Sequence, residues 1–168
     1  MKRLIILAIL PLLSLAAYAD DSIIGYVKTV SGTAYIVNAG AATAAEPGTP
    51  IRMNNTLKTG AGSAMGVTFK DNTVMSFGPG TEITVDEYLY NPSTDNLKLS
   101  ARIARGTLEY ISGVIAKLKP EAVAIKTPTG TIGVRGTHFL VKVDAPSTGK
   151  PTETPQGSAD TAAAQTAL

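Results

Sequence analysis

Cysteine and tryptophan are absent from this 168-residue sequence, and histidine occurs once. Without cysteine, the chain has no disulfide scaffold, no thiolate nucleophile, no Cys-ligated zinc site and no lipid-modified N-terminal cysteine. The single histidine narrows the remaining acid-base and metal chemistry further. We therefore expect no cofactor, and the composition favours binding over catalysis.

The first residues have the pattern of a secretory signal peptide. Lys2 and Arg3 precede an apolar run over residues 4–16, and Ala-Tyr-Ala at 17–19 is a small-x-small cleavage site. Cleavage would leave 168 − 19 = 149 residues with 13 basic and 13 acidic groups, so the excess positive charge belongs to the signal. This balance gives no support to nucleic-acid binding.

The mature sequence divides into a folded unit and a tail. Residues 146–168 are rich in Pro, Thr and Ala and contain one large apolar residue, which predicts a disordered tail. We expect one domain at residues 22–145, after a signal peptide at residues 1–19. No later apolar run reaches the roughly 18 residues of a membrane helix, so we expect a periplasmic or secreted product of a Gram-negative envelope.

Alternation of apolar and polar residues dominates the domain. Met65, Val67 and Phe69 alternate with small or polar neighbours, and the same period of two recurs at Ile83 and Val85. Short strands separated by turns predict an all-β fold with little helix outside the signal peptide. The two arrangements left open are an irregular β-solenoid-like unit and a compact wrapped β-sandwich.

Turn and loop signals separate the strands. Residues 70–72 and 91–96 are rich in Asn and Asp, which favour turns. Residues 38–50 are expected to form a surface loop, and residues 112–120 a short helical turn or an irregular excursion, since this segment contains Gly near its start and ends with Pro.

Glycine followed by Thr or Ser recurs through the domain at uneven intervals, which argues against a fixed-period solenoid. Glycine accepts a strained turn backbone and the β-branched residue restarts a strand, so each pair predicts a corner. The pairs begin at Gly32, Gly62, Gly80, Gly106, Gly130 and Gly136.

The single histidine is the first candidate for chemistry. Phe139, Val141 and Val143 share one face of a predicted strand, which places His138 and Lys142 on the other face. No serine has the glycine spacing of a nucleophile elbow, and a zinc site would need carboxylates for every other ligand. We interpret His138 as a surface histidine.

Carboxylates offer a second route to catalysis. A hydrolase would use Glu82, Asp86 or Glu109, but the adjacent Asp86 and Glu87 are expected to project from opposite faces of a strand. Residues 91–96 lack the glycine and glutamate of a calcium loop and are interpreted as a turn. The hydrolase reading is therefore a minor alternative.

Residues 130–137 have a superficial likeness to a glycine-rich phosphate loop. They lack the Walker spacing, and the residues that follow continue as a strand instead of a helix. We interpret the segment as a strand-turn-strand corner. Arg135 either turns inward to the carbonyl groups of this corner or contacts a partner, and both roles stay open.

The order of these motifs resembles the FecR domain, the periplasmic module of the ferric citrate sensor. The resemblance spans Val27–Val143, and its most specific elements are Thr-Pro at 127–128 and Val-Arg-Gly-Thr-His-Phe at 134–139. It implies a mostly β, solenoid-like fold. The other matching segments are 30–34, 57–64, 67–77, 78–83 and 105–108.

The resemblance also implies a function. In the ferric citrate type of regulator, the domain follows a cytoplasmic sigma-factor-binding segment and a membrane helix, and it senses an outer-membrane transporter by protein contact. Here we expect a cleavable signal in their place. The resemblance thus implies a freestanding, non-enzymatic interaction, sensing or scaffold module, with no catalytic, cofactor-binding or metal residue to carry over.

We expect a protein partner in the envelope, bound through a sheet edge or the turns. The candidate contact or structural residues are Arg135, Gly136, Thr137, His138 and Lys142. The alternative is a module that binds cell-wall or surface glycan by stacking, although alternation with apolar residues favours packing roles for its aromatic candidates. Those candidates are Tyr26, Tyr35, Tyr88, Tyr90 and Tyr110.

Overall fold

A computed structural model describes residues 23–135 and 138–145 of the chain. Strands make up 63% of these residues and helices 9%, which confirms the all-β prediction. The predicted signal peptide and the predicted tail lie outside the described residues. The strands are β1 Ile23–Ser31, β2 Ala34–Asn38, β3 Ala41–Ala44, β4 Pro50–Arg52, β5 Thr56–Thr59, β6 Ala64–Phe69, β7 Val74–Phe77, β8 Glu82–Asn91, β9 Asn96–Ile111, β10 Val123–Thr127, β11 Gly130–Gly133 and β12 His138–Val143.

The strands form one sheet that curls into a half-barrel. Antiparallel pairing gives the order β3-β2-β5-β8-β9-β7-β6-β1-β4, while β10 and β12 pair with the other edge of β9 and β11 adds to β10. The pair β9-β10 is parallel, and the helix α1, Val114–Leu118, lies in the connection between these two strands. Alternate residues of the strands form one buried apolar cluster, to which Ile115 of α1 also belongs.

Strand β9 joins the two halves of the sheet. Its residues 96–105 pair with β8, and its residues 108–111 pair with β7. On the opposite edge, residues 99–102 pair with β10 and residues 106–111 pair with β12. Gly106 lies at the change of partner with a φ of +99°, which glycine adopts without strain. The predicted corner is present, but the strand continues through it.

The Gly-Thr and Gly-Ser pairs at successive corners contact each other. The Thr107 N–H donates to the Thr81 hydroxyl at 3.0 Å, and the Thr81 N–H donates to the Thr59 hydroxyl at 2.9 Å. At a neighbouring corner the Thr33 N–H donates to the Ser63 hydroxyl at 2.9 Å. Side-chain hydroxyls thus satisfy backbone groups that the turns leave without a ladder partner. These hydrogen bonds connect corners that are far apart in the sequence.

Two sequence-based expectations about loops have different outcomes. The short helical turn at residues 112–120 is confirmed by α1. The surface loop over residues 38–50 was wrong for Ala41–Ala44, which forms β3 and pairs with β2. All four of its residues are exposed, so this edge strand has no buried face and no apolar alternation to reveal it.

A β-bulge in β8 overturns the expectation for the adjacent carboxylates. The register of β8 on β9 shifts between Val85 and Glu87, which leaves Asp86 as an extra residue. Val85 and Tyr88 are both buried, and Asp86 and Glu87 both project to the outer face between them. The assignment of these two carboxylates to opposite faces was therefore wrong, because it assumed a regular strand.

Replacement of Gly106 by alanine tests the corner in β9. A Cβ at this position would overlap Thr81, and the positive φ adds backbone strain. We expect the Gly106→Ala variant to lose about 2 kcal/mol or more of unfolding free energy in urea denaturation.

The control is Gly130→Ala, because a Cβ at that position meets no atom within 4 Å. We expect a change within about 0.5 kcal/mol for the control. Equal stability losses in the two variants would contradict the role assigned to Gly106.

Candidate interaction site

The predicted contact residues lie at the C-terminal end of the domain. Arg135 follows β11 and is exposed. Gly136 and Thr137 lie outside the described residues. His138 and Lys142 lie on β12 and are exposed. The structure thus brings His138 and Lys142 to one strand face.

Strand β12 has the predicted parity. It runs antiparallel to the end of β9, with Phe139 opposite Tyr110. The Phe139 ring stacks on the Tyr110 ring with centroids 4.9 Å apart, while His138 and Lys142 face outward. The prediction of a surface histidine is confirmed. Because Tyr110 is fully buried, the stacking anchors β12 to the core.

Glu109 is the polar partner of His138 across the two strands. The His138 Nε2 atom lies 2.8 Å from the Glu109 Oε1 atom, and both side chains are exposed. Exposed polar pairs of this kind contribute little to folding stability.

Asp71, which sequence reasoning treated only as a turn residue, is the centre of a buried hydrogen-bond network. Its Oδ2 atom accepts from the Thr73 hydroxyl at 2.7 Å and from the Ile115 N–H at 3.3 Å. Its Oδ1 atom accepts from the Tyr88 hydroxyl at 3.1 Å, and the same hydroxyl accepts from the Asp71 N–H at 2.9 Å. Hydrogen bonds to one carboxyl group therefore connect the β6-β7 turn to β8 and to the start of α1.

The network extends toward the candidate strand. The Thr73 hydroxyl accepts from the Gly113 N–H at 3.2 Å, which places the end of β9 beside the network. Burial raises the pKa of Tyr110 to about 12, and burial together with the nearby Asp71 raises the pKa of Tyr88. Tyr110 carries the stacked Phe139, so the end of β9 beside the network is also the part against which β12 packs.

A groove of about 610 Å³ lies between the β10-β11 hairpin and the end of β12. Residues 127–132 form one wall, and residues 141–144 form the other. Ile132 and Val141 are half-buried in it, whereas Lys142 and Asp144 are exposed and lie 3.3 Å apart. The groove therefore has apolar walls with charged groups at one end, and it includes the predicted contact residue Lys142.

The carboxylates of the hydrolase alternative contact basic side chains. Glu82 pairs with Lys58 at 3.0 Å, and Asp86 pairs with Arg102 at 3.0 Å. Across residues 23–135 and 138–145, no group of three or more His, Asp or Glu side chains has the arrangement of a metal site.

The tyrosines of the glycan alternative are dispersed. Tyr88 and Tyr110 are buried, so they present no surface for stacking on a sugar. Tyr26 and Tyr35 are 40% and 43% exposed and lie on different strands. Packing was the favoured role for these side chains, and Tyr88 and Tyr110 have it.

From β5 onward the sequence matches a known family. The family model described as FecR protein covers residues 55–159, which is more than half of the chain. The chain belongs to the FecR family. The recognition made from the motifs is confirmed, although the matched range begins later than Val27 and extends beyond Val143.

Other comparisons add no relative to this FecR protein, because no curated protein and no solved structure gave a match. The FecR family is a regulatory and signalling family whose members are not typically enzymes. The family suggests a sensing or regulatory module of the envelope. No helix in the part of the chain that the structure describes is long and apolar enough to cross a membrane.

Replacing the Asp71 carboxyl group by an amide tests the buried network. Asp71→Asn puts an NH₂ group opposite donors that now bind a carboxyl oxygen, so buried hydrogen bonds are lost. We expect a loss of about 3 kcal/mol in unfolding free energy, measured by urea denaturation.

Asp95→Asn is the matched control. Asp95 lies in an exposed turn, has a φ of 51° that asparagine tolerates, and pairs with Lys119 at 2.7 Å. We expect a loss below about 1 kcal/mol for this variant. A control that loses as much stability as Asp71→Asn would refute the central role of Asp71.

The raised pKa of Tyr110 predicts instability in alkali. The folded protein keeps this hydroxyl protonated up to about pH 12, whereas the unfolded chain releases the proton near the ordinary value of 10.0. The contribution of Tyr110 to stability is therefore complete below pH 10 and is lost as the pH rises toward 12. Urea midpoints measured across this range should fall less steeply for Tyr110→Phe, and parallel profiles would contradict the assignment.

Proposed function

We propose that this FecR protein is an exported, non-enzymatic sensing or scaffold module of the bacterial envelope that acts by binding a protein partner. The family match supports a regulatory role. The predicted signal peptide supports export to the periplasm or beyond.

The observation that carries this proposal is a pair of open strand edges. Within the described residues, β11 pairs with β10 alone and β12 pairs with β9 alone. The second edge of each strand thus presents backbone N–H and C=O groups beside the groove. An extended segment of a partner adds to such an edge by main-chain hydrogen bonds.

The groove adds side-chain contacts, which a strand edge alone does not provide. Ile132 and Val141 provide half-buried apolar surface for alternate side chains of an added strand. Lys142 and Asp144 provide charged groups at its end. Main-chain pairing then gives affinity, and these side chains give selectivity.

Site-specific crosslinking tests the proposal in the native envelope. A photo-reactive residue replaces Thr131 of β11 or, separately, Leu140 of β12, and the crosslinked products are identified. We expect both positions to capture the same protein, because Thr131 lines the groove and Leu140 directly precedes the groove residue Val141 on β12.

Leu118 on α1 is the matched control. It is 60% exposed, close to the 69% of Leu140, but it lies on the helix and not on an open edge. Capture of the same protein at Leu118 with equal yield, or no protein captured at Thr131 and Leu140, would overturn the proposal.

A further inference from the structure

We infer that the partner presents an extended acidic segment, and that a cationic strip on the outer face of the sheet binds it. The strip consists of Lys58, Arg102, Arg105 and Lys126, on strands β5, β9 and β10. This inference rests on the proposed function, because it names the chemistry of the same protein partner.

Two carboxylates on β8 each lie between two basic side chains of the strip. Glu82 is 3.0 Å from the Lys58 Nζ atom and 3.2 Å from an Arg105 nitrogen. Asp86 is 3.0 Å from an Arg102 nitrogen and 3.7 Å from the Lys126 Nζ atom. Each carboxylate offsets one positive charge, so each group of three retains a net charge of +1.

The basic side chains of the strip are more accessible to solvent than the two carboxylates between them. Their side chains are 40% to 60% exposed, whereas those of Glu82 and Asp86 are 27% and 15% exposed. An approaching molecule therefore meets the cations first. The adjacent pair of Lys98 and Glu87, 3.0 Å apart, is balanced in charge and leaves this excess unchanged.

β-bulges in both strands shape this part of the surface. The bulge at Asp86 brings Glu87 to the outer face, because Asp86 already shares the outward parity of Glu82. A second register shift pairs Glu82 with Arg105 and Ile83 with Ile103, which makes Ala104 the extra residue. In a regular strand Arg105 would share the inward parity of Ile103. Bulges commonly re-aim side chains for a function, and the bulge at Ala104 directs Arg105 into the charged strip.

Folding stability gives no sufficient reason for the strip. Exposed ion pairs contribute little to stability, and these pairs do not account for the excess of positive charge. An excess of one sign instead attracts molecules of the opposite sign and increases their association rate.

The strip is continuous with the groove of the proposed function. Arg102 and Lys126 line a second cavity of about 480 Å³ at the β10-β11 hairpin. This cavity and the groove share Thr127, Pro128, Gly130 and Thr131. A segment seated at the open edges therefore reaches the cationic strip without leaving the surface.

The spacing of the strip suits an extended polypeptide. Glu82 and Asp86 are four residues apart on β8, which places the two groups of three about 13 Å apart. Side chains on one face of an extended segment recur every ~7 Å, so acidic residues four positions apart meet both groups.

Membrane lipid fits the strip less well. Two excess charges give only about a thirtyfold enrichment at an anionic bilayer, which is too weak for stable anchoring. Arginine is enriched in protein interfaces, and Arg102 and Arg105 form half of the strip.

Peptide binding tests the inference on the full mature chain. The probe is a fluorescein-labelled peptide of about twelve residues that alternates Glu and Thr, followed by anisotropy at low salt and at about 0.5 M salt. In the triple variant Lys58→Gln, Arg102→Gln, Lys126→Gln we expect about tenfold weaker binding at low salt. Thermal melting followed by circular dichroism verifies that the variant folds.

The control triple variant removes the same charge from other exposed sites, as Lys28→Gln, Lys70→Gln, Lys117→Gln. We expect its affinity to stay within about twofold of the unmodified protein. Equal losses in both variants would show an effect of net charge alone and would overturn the inference. Equal binding of a matching Lys-Thr peptide would also overturn it.

Other anionic partners are outcomes of the same experiment. Strip-dependent binding to polygalacturonate or to phosphatidylglycerol vesicles, with no binding to the acidic peptide, would overturn the assignment to a protein segment. Retained peptide affinity in the variant Lys58→Arg, Lys126→Arg would support a role for charge at these positions.

Crosslinking separates this inference from the proposed function. Full capture of the partner at Leu140 in the strip variant would overturn the acidic-segment inference and leave the edge-binding function standing. Strip-dependent peptide binding with no capture at Thr131 or Leu140 would overturn the edge-binding function and leave the charge preference standing.

Discussion

The backbone of β9 at Gly106 is the constraint on which the rest of the sheet depends. Strand β9 pairs with β8 and β10 before this residue and with β7 and β12 around and after it. The change requires a φ of +99° and leaves no room for a side chain against Thr81. The Thr81 hydroxyl in turn accepts from the Thr107 N–H. Gly106 thus allows the strand to bend, and the Thr81 hydroxyl accepts the hydrogen bond of a backbone N–H at the bend.

Features set by local sequence could be predicted. The alternation that defines the inner and outer faces, the Gly-Thr corners and the outward direction of His138 all follow from residues close in the chain. The network at Asp71 could not, because its partners Tyr88 and Ile115 are 17 and 44 residues away. The β8 bulge had a sequence signal, since the apolar spacing changes from two to three residues between Val85 and Tyr88.

The candidate site combines an open strand edge, which has little sequence selectivity of its own, with a well-packed support. Added strands bind through backbone groups that any sequence supplies, so an open edge alone selects partners poorly. Here Phe139 stacks on the buried Tyr110, and the Asp71 network holds the neighbouring turn and helix. In the proposed binding mode, selectivity comes from the apolar walls of the groove and from the charges around it.

The bulges also make the outer surface sensitive to chain length. Asp86 and Ala104 are each one residue more than regular pairing of β8 with β9 needs. Deleting Asp86 would restore regular pairing, because Glu87 would then follow the buried Val85 on the outer face and precede the buried Tyr88. The outer face would lose one carboxylate while the buried side chains kept their positions. At such a bulge, a one-residue deletion therefore changes the surface charge without displacing the core.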